Sequence, residues 1–342
     1  MNIVRRSPHC CALRLPVCLS LLAMPACTSM HPRTEPTDPR LAPRASIPSE
    51  MMTILPFQHV PGGAIEAGGI YVQAALNGRH GTLNLDTGAW LMQLGSNHWT
   101  RHPDSTLDTL RDARAADPDT SQDGAARVET IQFGTLPPHH LDLTDVQTVN
   151  GFYGGENPLR ENVNVNFGEW DPHMAGGKAV LGDLGLVDLV PYETIIDYQH
   201  QRLILIRLDT TGRRLAPVPT FTVVDSVPLQ PPFCWLHIKV RVGDVEKNLV
   251  LDTGTPISNV LDTRGGFSPT LDTLRIGTRV FPAVSFSLDG GVHPQIERYN
   301  ISGILGGPSL RQIGVFGINL RTHYLLFYAE SAGVRVPAAS PR

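Results

Sequence analysis

The chain is short of cysteine, of clustered positive charge and of long apolar runs, and each shortage removes a class of protein. Its 342 residues hold five cysteines, none in a Cys-x-x-Cys pair, and no His-Glu-x-x-His stretch. The usual spacings of a zinc site are therefore missing. Lysine and arginine number 28 against 32 acids, for a net charge of −4, and they are scattered along the chain. Nucleic-acid binders carry a basic stripe, so no nucleic-acid partner is expected. Beyond the N-terminal region no run approaches the ~18–20 apolar residues of a membrane-crossing helix, which argues against a bilayer-embedded domain. A Gly-x-Ser-x-Gly elbow, a phosphate-binding loop and a dinucleotide fingerprint are also missing, and neither cofactor nor metal is expected. His139 and His140 follow Pro137 and Pro138 and read as a turn. What is plentiful is turn chemistry. With 32 Gly, 29 Pro and 41% hydrophobic residues, the chain reads as strands and turns with enough apolar material for a core.

Residues 1–26 have the pattern of a signal peptide. Arg5, Arg6 and Arg14 give a positive start with no acid, Leu15 to Met24 is a short apolar stretch, and Pro25 and Ala26 lead to Cys27. A Leu-rich run ending in a small residue and then Cys resembles the lipobox of bacterial lipoproteins. That resemblance implies lipidation of Cys27 and anchoring in the cell envelope, and Thr28 after it implies the periplasmic side of the outer membrane. An ordinary cleaved secretory signal is the alternative. Loss of the leader removes three arginines and no acid, taking the net charge from −4 to −7. Of the two cysteines then left, a lipidated Cys27 would leave Cys234 without a disulfide partner. Residues 27–54 carry Pro32, Pro36, Pro39, Pro43 and Pro48 among polar residues and read as an extended tether.

The rest of the chain contains a duplication. Ile70, Val72, Ala74 and Leu76 alternate with outward positions, Asn77-Gly78 turns the chain, and Thr82 to Leu85 return to Asp86-Thr87-Gly88. Leu236, Ile238, Val240 and Val242 alternate with His237, Lys239 and Arg241 in the same way. Gly243-Asp244 then turns, and Asn248 to Leu251 return to Asp252-Thr253-Gly254. Three further blocks keep the same order in both halves. Residues 128–135 match 271–278, 179–183 match 303–307, and the run 194–206 matches 315–327. Short helices are expected after the Gly at 181–190 and 308–314. Leu-Asp-Thr occurs six times, but only the copies at Leu85 and Leu251 are followed by Gly and stand in register with the duplicated strands.

Two Asp-Thr-Gly triplets, each after an apolar strand and each followed downstream by two apolar residues and Gly, resemble the aspartic proteases. The short halves are similar to the retropepsin type, fused in tandem in one bacterial chain. The resemblance implies a mostly β protein with two homologous β-barrel lobes, 55–214 and 215–335, and an active site between them. It implies an aspartic endopeptidase acting on a peptide or protein as a monomer, with membrane contact only through the N-terminal lipid. Asp86 and Asp252 would form the catalytic pair. Thr87 and Thr253 would hydrogen-bond across the interface, and Gly88 and Gly254 would let the two backbones approach. Thr255 could bond the outer oxygen of Asp252, which Ala89 cannot do for Asp86. Val180-Leu181-Gly182 and Ile304-Leu305-Gly306 would pass behind the loops.

Two carboxyls a few ångströms apart cannot both ionise easily, and such a pair holds one proton that a water reaction can use. The halves differ in length after the triplet. From Asp86 to Val128 is 42 positions and from Asp252 to Leu271 is 19, so the first half has 23 extra residues where the family carries its substrate-covering flap. Residues 89–128 hold no Tyr, and Trp90, Trp99 and Tyr153 are the aromatic candidates for contact with substrate. The competing reading is a catalytically inactive, envelope-anchored peptide-binding protein that keeps the cleft. Missing flap aromatics favour it, and two intact aspartates oppose it.

Overall fold

Two hairpins set the pattern that the whole molecule repeats. The computed structural model describes residues 48–58, 69–89, 92–95, 124–126, 130–140, 165–168, 180, 182–218, 220–230, 236–255, 259–262, 272–289 and 300–331. The leader, Cys27, Trp90, Trp99 and Tyr153 lie outside the described residues, as does most of the 89–128 segment. The first half comprises β1 (Met52–Pro56), β2 (Tyr71–Leu76), β3 (Arg79–Leu85), β4 (Met92–Gly95), β5 (Gly124–Ala126), β6 (Ile131–Gln132), β7 (Val165–Gly168), β8 (Gly182–Leu184), β9 (Tyr192–Asp197) and β10 (Arg202–Arg207). The second comprises β11 (Phe221–Pro228), β12 (His237–Val242), β13 (Val245–Leu251), β14 (Val260–Asp262), β15 (Asp272–Ile276), β16 (Arg279–Val284), β17 (Ser287–Asp289), β18 (Gly303–Leu305), the helix α1 (Gly307–Ile313), β19 (Val315–Asn319) and β20 (Tyr324–Glu330). The protein is mostly β. Among the described residues no helix is long and apolar enough to cross a membrane.

Leu76 faces Arg79 across a two-residue turn whose Asn77 and Gly78 have φ of 48° and 82°, the left-handed pair that suits the twist of a tight hairpin. The second hairpin closes Val242 against Val245 through Gly243 at φ 57°. Around these hairpins grow two seven-stranded sheets with parallel orders, β6-β2-β3-β8-β4-β7-β5 and β15-β12-β13-β18-β14-β17 with β16 on the far side of β15. Six strands correspond one to one. The first half adds β5, drawn from its longer segment, against β7. The second adds the full strand β16, which the first reduces to a bridge between Ile131 and His139. Pro137 and Pro138 stand beside that bridge and have no N–H to extend a ladder.

The remaining strands form one antiparallel sheet from both halves, in the order β1-β10-β9-β19-β20-β11. Its centre pairs β9 with β19 from Glu193↔Asn319 to Asp197↔Val315. Every residue of both strands is buried, since apolar side chains cover the sheet on each face. Two buried acids are tied in here. Glu193 accepts from Arg214 Nε at 2.8 Å and from the Tyr328 hydroxyl, and Asp197 accepts from Arg202 Nε at 2.7 Å. β1 begins at Met52, inside the span read as tether, because Thr53 and Leu55 are buried against β10. Residues 46–342 form one compact unit, as a sheet shared between the halves requires.

The strand pairing corrects two of the sequence matches. Leu85 pairs with Leu184 in the first half as Leu251 pairs with Leu305 in the second, and Gly182 and Gly303 share a φ of 153°. The segment behind the first triplet is therefore Asp183-Leu184-Gly185, three residues beyond Val180-Leu181-Gly182. Two Leu-Gly pairs in succession made the earlier one the better apolar match. The run after it is displaced by one, because Asp197 faces Arg202 as Asn319 faces Tyr324. A strand buried at every position has no alternation of faces, so the turn decides the register, and Gln201 and His323 mark it with φ of 51° and 61°. The match of 128–135 to 271–278 holds to the residue: Asn77 N donates to Thr130 O and Gly243 N to Thr273 O. His237, expected outward by alternation, is fully buried, because Leu229 and Gln230 pair back over the start of β12. Short helical turns follow both Gly segments, a 3-10 turn at Leu186–Leu189 and α1.

Candidate active site

Each triplet is presented at the end of the second strand of its hairpin and pinned from behind by a parallel neighbour. Asp86 N donates to Leu184 O and Asp252 N to Leu305 O, both at 3.0 Å. One turn further, Leu186 N donates to Ala89 O at 3.0 Å and Gly307 N to Thr255 O at 2.9 Å, so both loops are held at two matching points. Asn259, buried, receives Gly306 N on its Oδ1 at 3.0 Å, while in the first half Gly185 N goes to Asp188 Oδ2 at the same distance.

The loops grip each other through their threonines. Thr87 N donates to Thr253 Oγ1 at 3.0 Å, and Thr253 N donates to Thr87 Oγ1 at 3.1 Å. The Thr87 hydroxyl in turn donates to Leu251 O at 2.7 Å and the Thr253 hydroxyl to Leu85 O at 2.5 Å. Each hydroxyl thus both accepts from and donates to the backbone of the opposite half, and both threonines are buried. This crossed arrangement leaves none of the four backbone groups unpaired, which matters where water cannot reach.

The glycines meet the opposite carboxyls. A Cβ built on Gly88 would stand 2.7 Å from Asp252 Cγ, and one on Gly254 would stand 2.7 Å from Asp86 Oδ2 and nearer still to Oδ1. Neither position needs a left-handed backbone, so glycine is required for space. Asp86 and Asp252 are accordingly brought together across the interface. Gly254→Ala is expected to lower stability by about 1–3 kcal/mol through overpacking, read as a fall in the urea unfolding midpoint. An unchanged midpoint would contradict this packing.

Burial, followed by repulsion from Asp252 and Asp183, holds the Asp86 carboxyl well above the usual carboxylate range. Burial also raises Asp252, but the Thr255 hydroxyl, which donates to its Oδ2 at 2.8 Å, and the Gly254 N–H oppose the rise. Asp86 receives the Gly88 N–H, at 2.8 Å, and shares a side-chain hydrogen bond with Asp252. The better-supplied Asp252 favours the ionised form and Asp86 the protonated one, while the pair titrates as a unit. Such a pair can take a proton from one group and give a proton to another at the same time.

Two carboxyls that the motifs did not single out also matter. Asp183 and Asp188 are buried, and burial pushes each up to about 7. Buried His237 moves the other way, down to about 4. A carboxyl raised by folding stabilises the folded state fully below its unfolded pKa of about 4 and loses that contribution as pH rises toward its folded value. His237 has the opposite sign, because the unfolded chain binds its proton between about 4 and 6.5. Burial lowers His323 as well, and four raised carboxyls outweigh the two histidines. The urea midpoint is therefore expected to fall as pH rises from 4 to 7, with a shallower fall in Asp188→Asn; a midpoint rising over this window would contradict the burial assigned to these acids.

Sequence reasoning named Asp86, Thr87, Gly88, Asp252, Thr253, Gly254 and Thr255, and the structure brings all seven to one place. It places Asn84, Asp183 and Asn259 there as well. The second Leu-Gly pair, at Leu184-Gly185, is the signal that could have found Asp183. No protein-family model matches the chain, and no curated protein matches it.

Proposed function

We propose that the protein is an aspartic endopeptidase built on two retropepsin-like lobes, with Asp86 and Asp252 activating a water against a peptide carbonyl. The observation that carries the reading is the reciprocal threonine grip, which brings two buried carboxyls from duplicated loops to one point. Turn chemistry alone has no use for such a pairing. In the reaction the ionised carboxyl takes a proton from the water as its oxygen bonds to the carbonyl carbon. The protonated carboxyl donates to the carbonyl oxygen. The tetrahedral diol then collapses: the carbon–nitrogen bond breaks, the amine leaves with the proton taken from the water, and a diol hydroxyl returns its proton to the other carboxyl, so the pair again holds one proton. Thr255 beside Asp252 supports that residue as the base, and the barer Asp86 supports itself as the acid.

A library of peptides incubated with the full chain from pH 3 to 8, read by mass spectrometry, tests the proposal. Cleavage with an acid-shifted or bell-shaped profile is the expected result. Peptides that bind without being cut at any pH would favour the inactive binding protein instead.

A further inference from the structure

The two halves differ sharply in one cross-strand row beside the triplets. In the second half Val250 of β13 pairs with Ile304 of β18, which pairs in turn with Val260 of β14. At the same register in the first half stand Asn84 of β3, Asp183 of β8 and Gln93 of β4. An apolar row has become polar, with a carboxyl at its centre. Register partners share one face of a sheet, and Asn84 lies two residues before Asp86, so the row runs along the face from which the dyad projects.

Asp183 is held there. Its Oδ1 accepts from Asn84 Nδ2 at 2.9 Å, and only 7% of the residue is exposed. On its two sides stand Asn84 of β3 with Asp86 just beyond that strand, and the uncharged Gln93 of β4, while the opposing loop brings Asp252 within range of its charge. The basic residues of β3, Arg79 and His80, stand at the far end of that strand. Asp188, in the 3-10 turn that follows, accepts from the Gly185 N–H. Among the described residues no three His, Cys, Asp or Glu side chains converge closely enough to hold a metal ion, so Asp183 acts through charge and hydrogen bonding.

We propose that Asp183 is a positioning residue for the Asp86/Asp252 pair, a third carboxyl whose ionisation sets the pH at which the pair gives up its last proton. The inference rests on the reading of that pair as catalytic. Like charges in a water-poor site disfavour each other's ionisation. An ionised Asp183 therefore keeps the proton on the dyad to higher pH, as the upward shift it causes at Asp86 reflects. The singly protonated, reactive form then persists toward neutrality. Asn84 fixes the carboxyl in place by donating to it, and Val250 in the second half has no such hydrogen bond to offer Ile304.

The test compares the full chain with Asp183→Asn, which keeps hydrogen-bonding capacity, and with the double variant Asn84→Val/Asp183→Ile, which copies a pair the second half already packs. Two readouts are taken over pH 3–9: the profile of kcat/KM for a cleaved peptide, and the titration of Asp carboxyl carbons by NMR, with the dyad signals assigned through Asp86→Asn. Both variants are expected to move the upper dyad titration, and the alkaline limb of the profile with it, toward acid by about one pH unit. An upper dyad titration that stays put in both variants overturns the inference, whatever is cleaved. A shifted titration in a protein that cuts no peptide upholds the inference and removes the peptidase reading. Cleavage with an unshifted titration does the reverse.

Discussion

Asp86→Asn and Asp252→Asn are each expected to cut peptide hydrolysis by roughly 100- to 10,000-fold while leaving the protein folded and more resistant to urea at pH 7. The loss follows from the chemistry. An amide neither takes a proton from water nor passes one to a leaving amine, and acid–base assistance of this kind is worth about that much. The gain in stability follows from the same geometry, because each substitution removes a buried carboxyl whose ionisation burial and its neighbours oppose. The two effects together exclude unfolding as the cause of inactivity. Hydrolysis that persists in both variants would end the proposed mechanism, and a loss of folding would show that the pair is structural. Because Thr255 supports Asp252 alone, Thr255→Val is not equivalent to either change and leaves Asp86 with its own donor.

Thr253→Val carries the second large effect. The valine methyl replaces a hydroxyl that both donates to Leu85 O and accepts from Thr87 N, so two buried backbone groups lose their partners at once. At about 1–3 kcal/mol for each orphaned group, the cost is about 2–6 kcal/mol, large enough to lower the midpoint of thermal unfolding by about 5–15 °C. Thr87→Val should match it, since Leu251 O and Thr253 N stand in the mirrored relation. Serine at either position keeps the hydroxyl and should restore most of the loss. Calorimetry of the four variants reads this directly; a serine variant as unstable as its valine counterpart would assign the effect to the lost methyl instead.

How much of this could be read from the residues alone depended on whether a segment had two distinguishable faces. The hairpins before Asp86 and Asp252 alternate clearly and turn at Asn77-Gly78 and Gly243-Asp244, so their register and the pairing of the triplets were legible. The block from 128 to 135 also aligned correctly, because Gly134 and Gly277 occupy the same left-handed corner, at φ 53° and 58°. Legibility failed where every position is buried. β9 and β19 are buried throughout, and nothing in Ile195-Ile196 or Phe316-Gly317 marks which residue faces which. It failed again at Asp183, because apolar matching passes over a charged residue in a buried strand. β7 and β17 are short, and their parallel pairing to β4 and β14 is a long-range choice with no local signal.

The order of the shared sheet has a consequence for a chain made from its N-terminus onward. β9 and β10 are neighbours in sequence and can pair with each other and with the already made β1 as soon as residue 207 is available, but the open side of β9 must wait for β19, more than a hundred residues later. Until then the growing chain exposes a strand edge whose every residue is destined for burial, a template that another strand can extend. Pairing across so long a loop is slow, and the half-made protein spends that interval open to self-association. Two such halves can close their β9 edges on each other, as β9 closes on β19, so one interface relates a dimer of half-chains to the single chain with both halves fused.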